Sequence, residues 1–196
     1  MPLRLSATLL GCLAATWPAW ATTPAATLRF GTACAHCHEG ECSGRLSFAQ
    51  PPEATFVHIR QYAGPADDAL ARQLYETLEQ MKSDCRYPAV TVPALDRSLT
   101  SEDLRPYLDP WSGDYFLPLG RLEPGDYDLA VEFTGAGQVR VEVIDDEFDP
   151  LIDRCVRLEQ QRLAVAFAAT HDHQYYLRLR PRGPLQVRTL TMTRVG

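Results

Sequence analysis

Two cysteines and two histidines stand close together near the start of the chain, in the run Cys34-Ala35-His36-Cys37-His38. A thiol pair at this spacing can carry out disulfide exchange, particularly where a histidine between the cysteines lowers a thiol pKa. It can also supply half of a zinc site, which needs four ligands and usually a second close pair. The later cysteines form no such pair; they are Cys42, Cys85 and Cys155.

The order Cys-x-x-Cys-His resembles the haem-attachment motif of the c-type cytochromes. The resemblance implies that Cys34 and Cys37 hold one covalent haem c through thioether bonds and that His38 is the proximal iron ligand. It covers these five residues and, loosely, the segment up to residue 88. The implied function is one-electron transfer by a monohaem cytochrome, an electron carrier rather than a stand-alone enzyme.

The second axial ligand of the implied iron stays open at the level of sequence. Haem electron-transfer sites usually take Met or His in this position. Met81 is the only methionine between the motif and Met192, and its place on an inward helical stripe favours it. His58 is the alternative. His171, His173 or a five-coordinate iron are further alternatives.

Two other functions are compatible with the same residues. An open iron site would make the chain a haem-based ligand-binding or sensory module. Without haem, Cys34 and Cys37 could serve a thiol-disulfide oxidoreductase. That chemistry needs the pair at the start of a long helix, and the glycine-containing stretch after His38 does not favour a continued helix.

The N-terminal residues 1–21 are predicted to be a signal peptide. Arg4 precedes an apolar stretch, and a small-x-small cleavage pattern ends at Ala21. We therefore expect an exported protein of the bacterial periplasm, with no transmembrane segment in the mature chain. In an alternative interpretation, Cys12 belongs to a lipoprotein processing site and carries a lipid anchor.

The charge balance restricts the partners. The chain has 19 basic and 25 acidic residues, a formal net charge of −6. Because it has no basic stripe, nucleic-acid binding is not expected. Its acidity suits docking to a basic partner, so the expected partner is a periplasmic redox protein.

Three cysteines remain if Cys34 and Cys37 hold the haem. In an oxidising compartment one pair of them can form a disulfide. A bond between Cys42 and Cys85 is the favoured pairing, because it would tie the loop after the motif to a later helix. A bond between Cys85 and Cys155 is the alternative.

Two amphipathic helices are predicted after the motif. The first begins at the prolines of residues 51–52 and ends before Gly64. The second begins at Asp67 and ends by Pro88. One face of it is apolar; this face consists of Leu70, Leu74, Leu78, Met81 and Cys85. With an extended or irregular lead-in over residues 22 to about 33, the segment 22–88 is predicted to be a small helical haem-binding domain.

The remainder of the chain is divided into a connector and a β domain. Residues 89–114 are rich in proline and are predicted to be a connector with one short helix from Ser101 to about Tyr107. In residues 115–196 the apolar side chains recur at every second position. The strands predicted from this alternation are 127–133, 139–143, 162–167, 175–180 and 185–193.

The predicted fold class is therefore α+β multidomain. A small α-helical cytochrome c-like domain is followed by an antiparallel β-sandwich. The rhythm of strands and turns in the sandwich is similar to that of jelly rolls of the carbohydrate-binding type. We expect the sandwich to dock the haem domain to a partner or a larger complex.

Three features of the β domain could bind a ligand, and each also has a purely structural explanation. The acidic run at 145–149 could bind calcium but is typical of a solvated turn. His171 and His173 could bind a metal but lie in a predicted hairpin turn. Tyr115 and the tyrosines 175–176 could stack on a sugar, although aromatic residues in strands usually pack in a core.

Overall fold

A computed structural model describes residues 24–40, 42, 50–158 and 160–195. The predicted signal peptide, its cleavage site and Cys12 lie outside these residues. The described chain forms two four-stranded sheets with a layer of helices on one of them.

All strand pairs in the two sheets are antiparallel. The first sheet has the order β1-β8-β3-β6 and the second the order β2-β7-β4-β5. The strands are β1 Leu99–Thr100, β2 Tyr115–Leu122, β3 Gly125–Thr134, β4 Gln138–Asp145, β5 Pro150–Arg157, β6 Arg162–Ala169, β7 His173–Arg182 and β8 Gln186–Val195. Side chains from both sheets share one core, so the predicted antiparallel β-sandwich is confirmed.

The alternation that predicts the strands has a direct physical origin. In β6 every second side chain is buried, including Leu163, Val165 and Phe167. Side chains of successive strand residues point to opposite faces of the sheet, so one set packs in the core and the other meets solvent. Register follows from the same pattern, with Val165 opposite Leu129 of β3.

The helices precede most of the strands. They are α1 Pro24–Arg29, α2 Ala35–His38, α3 Phe56–Tyr62, α4 Asp68–Asp84 and α5 Ser101–Leu104. A π-helical turn, Phe30–Cys34, joins α1 to α2, and a 3-10 turn, Pro52–Thr55, leads into α3. The side chain of Asp67 caps α4 by accepting from the N–H of Leu70 at 2.8 Å.

The prediction of an extended or irregular lead-in over residues 22 to about 33 is wrong, because most of this segment is helical. Its inward side chains are mostly small, which allows the backbone to approach the second sheet closely. A Cβ atom on Gly31 would overlap the ring of Phe116. We name residues 24–38 the motif segment.

A second hydrophobic core lies between the helices and the outer face of the second sheet. Helical side chains such as Phe30 and Leu74 share it with Phe116, Ile144 and Tyr176 of the strands. The rings of Phe116 and Tyr176 stack at 5.1 Å between centroids.

The predicted fold class is wrong in its helical part. An eight-stranded sandwich dominates the described residues, and the helices are short apart from α4. They pack on the sheet instead of forming a cytochrome c-like domain of their own, because their apolar faces are covered partly by strand residues.

A disulfide bond joins Cys42 to Cys85, so the favoured pairing is confirmed. It ties the chain beyond α2 to the C-terminal end of α4, while Cys34, Cys37 and Cys155 are free thiols. A structural disulfide is typical of proteins in oxidising compartments such as the periplasm or the cell exterior.

Within the described residues, none of the helices combines the length and the apolar character needed to span a bilayer.

Candidate functional site

An apolar cavity of about 540 Å³ lies between the motif segment, α3 and α4. Phe30, Ile59, Leu74 and Leu78 contribute apolar lining. Cavities of this kind, apolar with a few polar groups, are typical of small-molecule sites. We name it the histidine cavity.

Four of the five site residues predicted from the sequence line this cavity. Cys34, Cys37 and His38 lie on the motif segment, and His58 lies on α3. The rings of His38 and His58 are 6.1 Å apart between centroids, edge to face at 76°.

Met81 is placed elsewhere. Its side chain is 0% exposed and belongs to the second hydrophobic core, and it is absent from the lining of the cavity. Leu74 and Leu78 precede it on the same inward face of α4 and do reach the cavity. The helical spacing therefore predicted which side chains of α4 face inward, but it did not predict which of these border the cavity.

Helical spacing explains how α3 presents its part of the site. His58 and Tyr62 are one turn apart, so their side chains lie on the same face of the helix. Their rings are 4.8 Å apart between centroids. Sequence reasoning singled out His58 but missed Tyr62, although the i, i+4 relation to His58 was a signal for it.

The thiol of Cys34 does not have the lowered pKa of a reactive cysteine. Burial raises its pKa to about 12, although the charge of Arg29 acts in the opposite direction. A redox-active cysteine needs a lowered pKa, because the thiolate is the nucleophile. The motif also lies on the four-residue helix α2 and not at the start of the long helix that this chemistry needs, so the alternative of a thiol-disulfide oxidoreductase is not supported.

A buried cluster fastens the residue after His38 to the second sheet. Arg178 of β7 is 1% exposed and donates from Nη2 to Glu39 at 2.9 Å and to the Tyr87 hydroxyl at 2.8 Å. The Tyr87 hydroxyl also donates to Glu39. An ion pair of this kind loses much of its stability when one partner is removed, because the other charge stays buried.

The acidic run at 145–149 is a structured turn between β4 and β5. One carboxylate oxygen of Asp145 accepts from the N–H groups of Glu147 at 3.0 Å and Asp149 at 2.9 Å. His173 begins β7, with Nδ1 3.5 Å from Asp145 and 3.4 Å from Asp146. Across the described ranges, no group of three or more His, Cys, Asp or Glu side chains is arranged to hold a metal ion.

The tyrosines considered for sugar stacking are core residues. Tyr175 and Tyr176 are 0% exposed and Tyr115 is 7% exposed. Buried rings present no face to a sugar, so these residues stabilise the packing of the two cores.

No protein-family model and no curated protein sequence matches this chain. Solved structures give limited likenesses. A CBM4 structure has 18% identity and a TM-score of 0.28 over 42% of this chain and 70% of that chain. A family GH115 4-O-methyl-alpha-glucuronidase with specificity for decorated arabinogalactans has 8% identity and a TM-score of 0.38. This chain is covered to 74% and spans about a quarter, 24%, of the glucuronidase.

A further likeness is to a mutant of a carbohydrate binding module of family 29. It has 12% identity and a TM-score of 0.28 over 43% of this chain and 65% of that chain. The structures found are thus carbohydrate-binding modules and enzymes such as the glucuronidase.

The classification as a c-type cytochrome is wrong. The helices pack on the second sheet and form no cytochrome c-like domain of their own, and Met81 lies away from the cavity that His38 borders. The predictions of covalent haem c, of one-electron transfer and of a haem-based sensory module are corrected with it. The physical reason is the small extent of the resemblance, since five residues specify neither a fold nor a cofactor.

Proposed function

We propose that this chain binds a small aromatic molecule in the histidine cavity. The apolar part of the ligand would pack against Phe30, Leu74 and Leu78, and a polar group would face His38 and His58. The observation that carries the proposal is an apolar cavity of about 540 Å³ with two imidazoles 6.1 Å apart on its walls. Its volume lies in the range of about 300–1,000 Å³ that is usual for ligand sites.

The lining favours an acidic polar group on the ligand. Among the described residues that border the cavity, none has a carboxylate or an ammonium group. The imidazoles of His36, His38 and His58 can each donate a hydrogen bond to a carboxylate or sulfonate oxygen. A cationic ligand would meet no compensating charge on these walls.

The two thiols of the motif would contribute differently to binding. Cys34 is half-buried, and desolvation of its thiol raises its pKa, so the neutral thiol would form part of the apolar wall. Cys37 is exposed at the cavity and would contact the ligand from the solvent side. The bacterial periplasm is the proposed compartment, which the Cys42–Cys85 disulfide supports.

Fluorescence titration with phenylnaphthylamine, an uncharged aromatic probe, tests the proposal. We expect saturable binding of one probe per chain. The substitution Ala33→Phe fills part of the cavity, because Ala33 lines it, and should weaken binding about tenfold or more. Ala166→Phe, on the exposed side of β6, is the matched control and should leave the affinity unchanged.

The role of the imidazole is tested with a second probe. Anilinonaphthalene sulfonate has a similar apolar body and carries an acidic group. The substitution His58→Leu should weaken this probe and spare the uncharged one. Absence of saturable binding by both probes, or equal binding by wild type and Ala33→Phe, would show that the cavity is not a ligand site.

A further inference from the structure

A single guanidinium joins the two walls of the histidine cavity. Arg29 donates from Nε to Asp109 at 2.9 Å and from Nη1 to the carbonyl oxygen of Ala63 at 2.7 Å. Arg29 precedes Cys34 on the motif segment, and Ala63 lines the cavity just beyond the end of α3. Arg29 is thus part of the motif segment, which carries His38. It is hydrogen-bonded to the residue that follows α3, the helix that carries His58.

The carboxylate that holds Arg29 is itself fixed. Asp109 is 1% exposed, and each of its oxygens accepts two hydrogen bonds. Oδ2 accepts from the hydroxyls of Thr32 and Ser112, both at 3.0 Å, and Oδ1 also accepts from the N–H of Trp111 at 3.2 Å. A buried carboxylate with four donors is held in one orientation, since moving it would leave buried groups unpaired.

Close packing supports the same arrangement. The guanidinium carbon of Arg29 is 5.6 Å from the ring centroid of Trp111. The same ring lies against Gly64, where a Cβ atom would overlap it. The turn after Asp109 therefore contacts both the motif segment and the end of α3.

We propose that Arg29 and Asp109 are positioning residues that set the separation of His38 and His58. The inference rests on the proposed function, because this separation would determine which ligands fit. Neither Arg29 nor Asp109 lines the cavity, so both would act through the walls. Lysine cannot replace Arg29, because one ammonium group cannot reach two partners in the fork geometry of a guanidinium.

Two conservative substitutions test the inference on the full chain. Asp109→Asn and Arg29→Lys should each weaken phenylnaphthylamine binding roughly tenfold, since a site held loosely by its supporting residues loses its fit. The controls are Asp103→Asn and Arg97→Lys, which alter an exposed arginine–aspartate pair joined by two hydrogen bonds at 2.7 and 2.9 Å. These controls should leave the affinity unchanged. All titrations are performed at a temperature where near-UV circular dichroism shows the folded state.

A distance measurement separates positioning from a general loss of stability. Nitroxide labels are placed on Cys37 and on Val57→Cys, both exposed, in a background in which Cys34→Ala and Cys155→Ala remove the other free thiols. We expect a narrow distance distribution in the parent protein and in both controls, and a broadened or shifted one in Asp109→Asn and Arg29→Lys.

The outcomes distinguish the inference from the proposed function. If no probe binds to the parent protein, the proposed function fails, and the distance distributions still test the positioning role. Unchanged distances in Asp109→Asn and Arg29→Lys would overturn that role. If either variant does not fold, Thr32→Ala removes only one hydrogen bond to Asp109 and should broaden the distribution to a smaller extent; an unchanged distribution there would overturn the inference equally.

Discussion

The two hydrophobic cores of this chain are built in different ways. Almost all side chains of the sandwich core come from the two facing sheets. The core beneath the helices takes Phe116, Ile144 and Tyr176 from the outer face of the second sheet. The helices therefore need the sheet to cover their apolar faces, whereas the sandwich buries its own core without them.

This difference bears on function. The histidine cavity lies in the helical layer, which depends on the sheet for its core, between the motif segment, α3 and α4. Binding sites are often found in regions of lower local stability, because ligand entry requires some freedom of the walls. The disulfide and the Arg29–Asp109 pair both restrict that freedom from outside the cavity.

The largest expected effect comes from removing one phenylalanine from each core. Phe133 in the sandwich and Phe30 under the helices are both 1% exposed, and Phe→Ala substitutions in cores cost about 3–5 kcal/mol. Phe133→Ala should lower the midpoints of both parts. Phe30→Ala should lower only that of the helical layer. Urea unfolding measures the two midpoints. Far-UV circular dichroism follows the sandwich, and Trp111 fluorescence follows the helical layer.

Trp111 suits this measurement because it is the only tryptophan after residue 21 and contacts Gly64 and Arg29 of the helical layer. An equal shift of both signals in Phe30→Ala would show that the two cores unfold as one unit. The contrast between a dependent and an independent core would then be wrong.

Removal of the disulfide is expected to have the next largest effect. The double substitution of Cys42 and Cys85 by Ala should destabilise the helical layer by about 2–4 kcal/mol, because the bond restricts the unfolded chain. The two cysteines are 43 residues apart. The fluorescence transition should move, while the sandwich signal stays. Cys155→Ala, which removes a free thiol, is the control and should change neither transition.

The sandwich was predictable from the sequence because most of its strands have one buried and one exposed face. Strands β3, β4, β6, β7 and β8 correspond to the predicted ones. Strand β2 was missed because both of its faces are covered, with Leu117 in the sandwich core and Phe116 under the helices. A strand buried on both sides has no alternation to detect.

The site was predictable only in part. The short motif pointed to residues that border the histidine cavity, yet it did not predict their chemical role. The ion pairs that hold the motif segment were not predictable. Arg29 and Asp109 are 80 residues apart in the sequence, and Glu39 and Arg178 are 139 residues apart. Contacts over such separations arise from the fold and leave no local pattern.

A pair of glycines separates packing from backbone strain at the helical layer. Gly64 and Gly113 have similar positive φ angles of 78° and 75°. Ala at Gly113 meets open space and should cost about 1 kcal/mol through the backbone alone. Ala at Gly64 must also displace Trp111, which adds about 1–3 kcal/mol. Thermal unfolding followed by fluorescence measures the difference, and equal losses would mean that Trp111 does not hold the layer.

The smallest expected effect concerns Asp114, which precedes β2 on the sandwich side. Burial raises the pKa of its carboxyl from 3.8 to about 6, although Arg180 acts in the opposite direction. The folded state therefore binds a proton more readily than the unfolded state, so stability falls as the pH rises from about 4 to about 6.

Asp114→Asn removes the buried charge. It should stabilise the protein above pH 6 by an amount on the order of 1 kcal/mol after solvent screening. Below about pH 3 the carboxyl is largely protonated in both states, and the gain should vanish. The gain should appear in the far-UV circular dichroism transition, which follows the sandwich, because Arg180 belongs to β7. Asp128→Asn, at an exposed position on β3, is the control. A gain that is the same at both pH values would show that the Asp114 charge does not oppose folding.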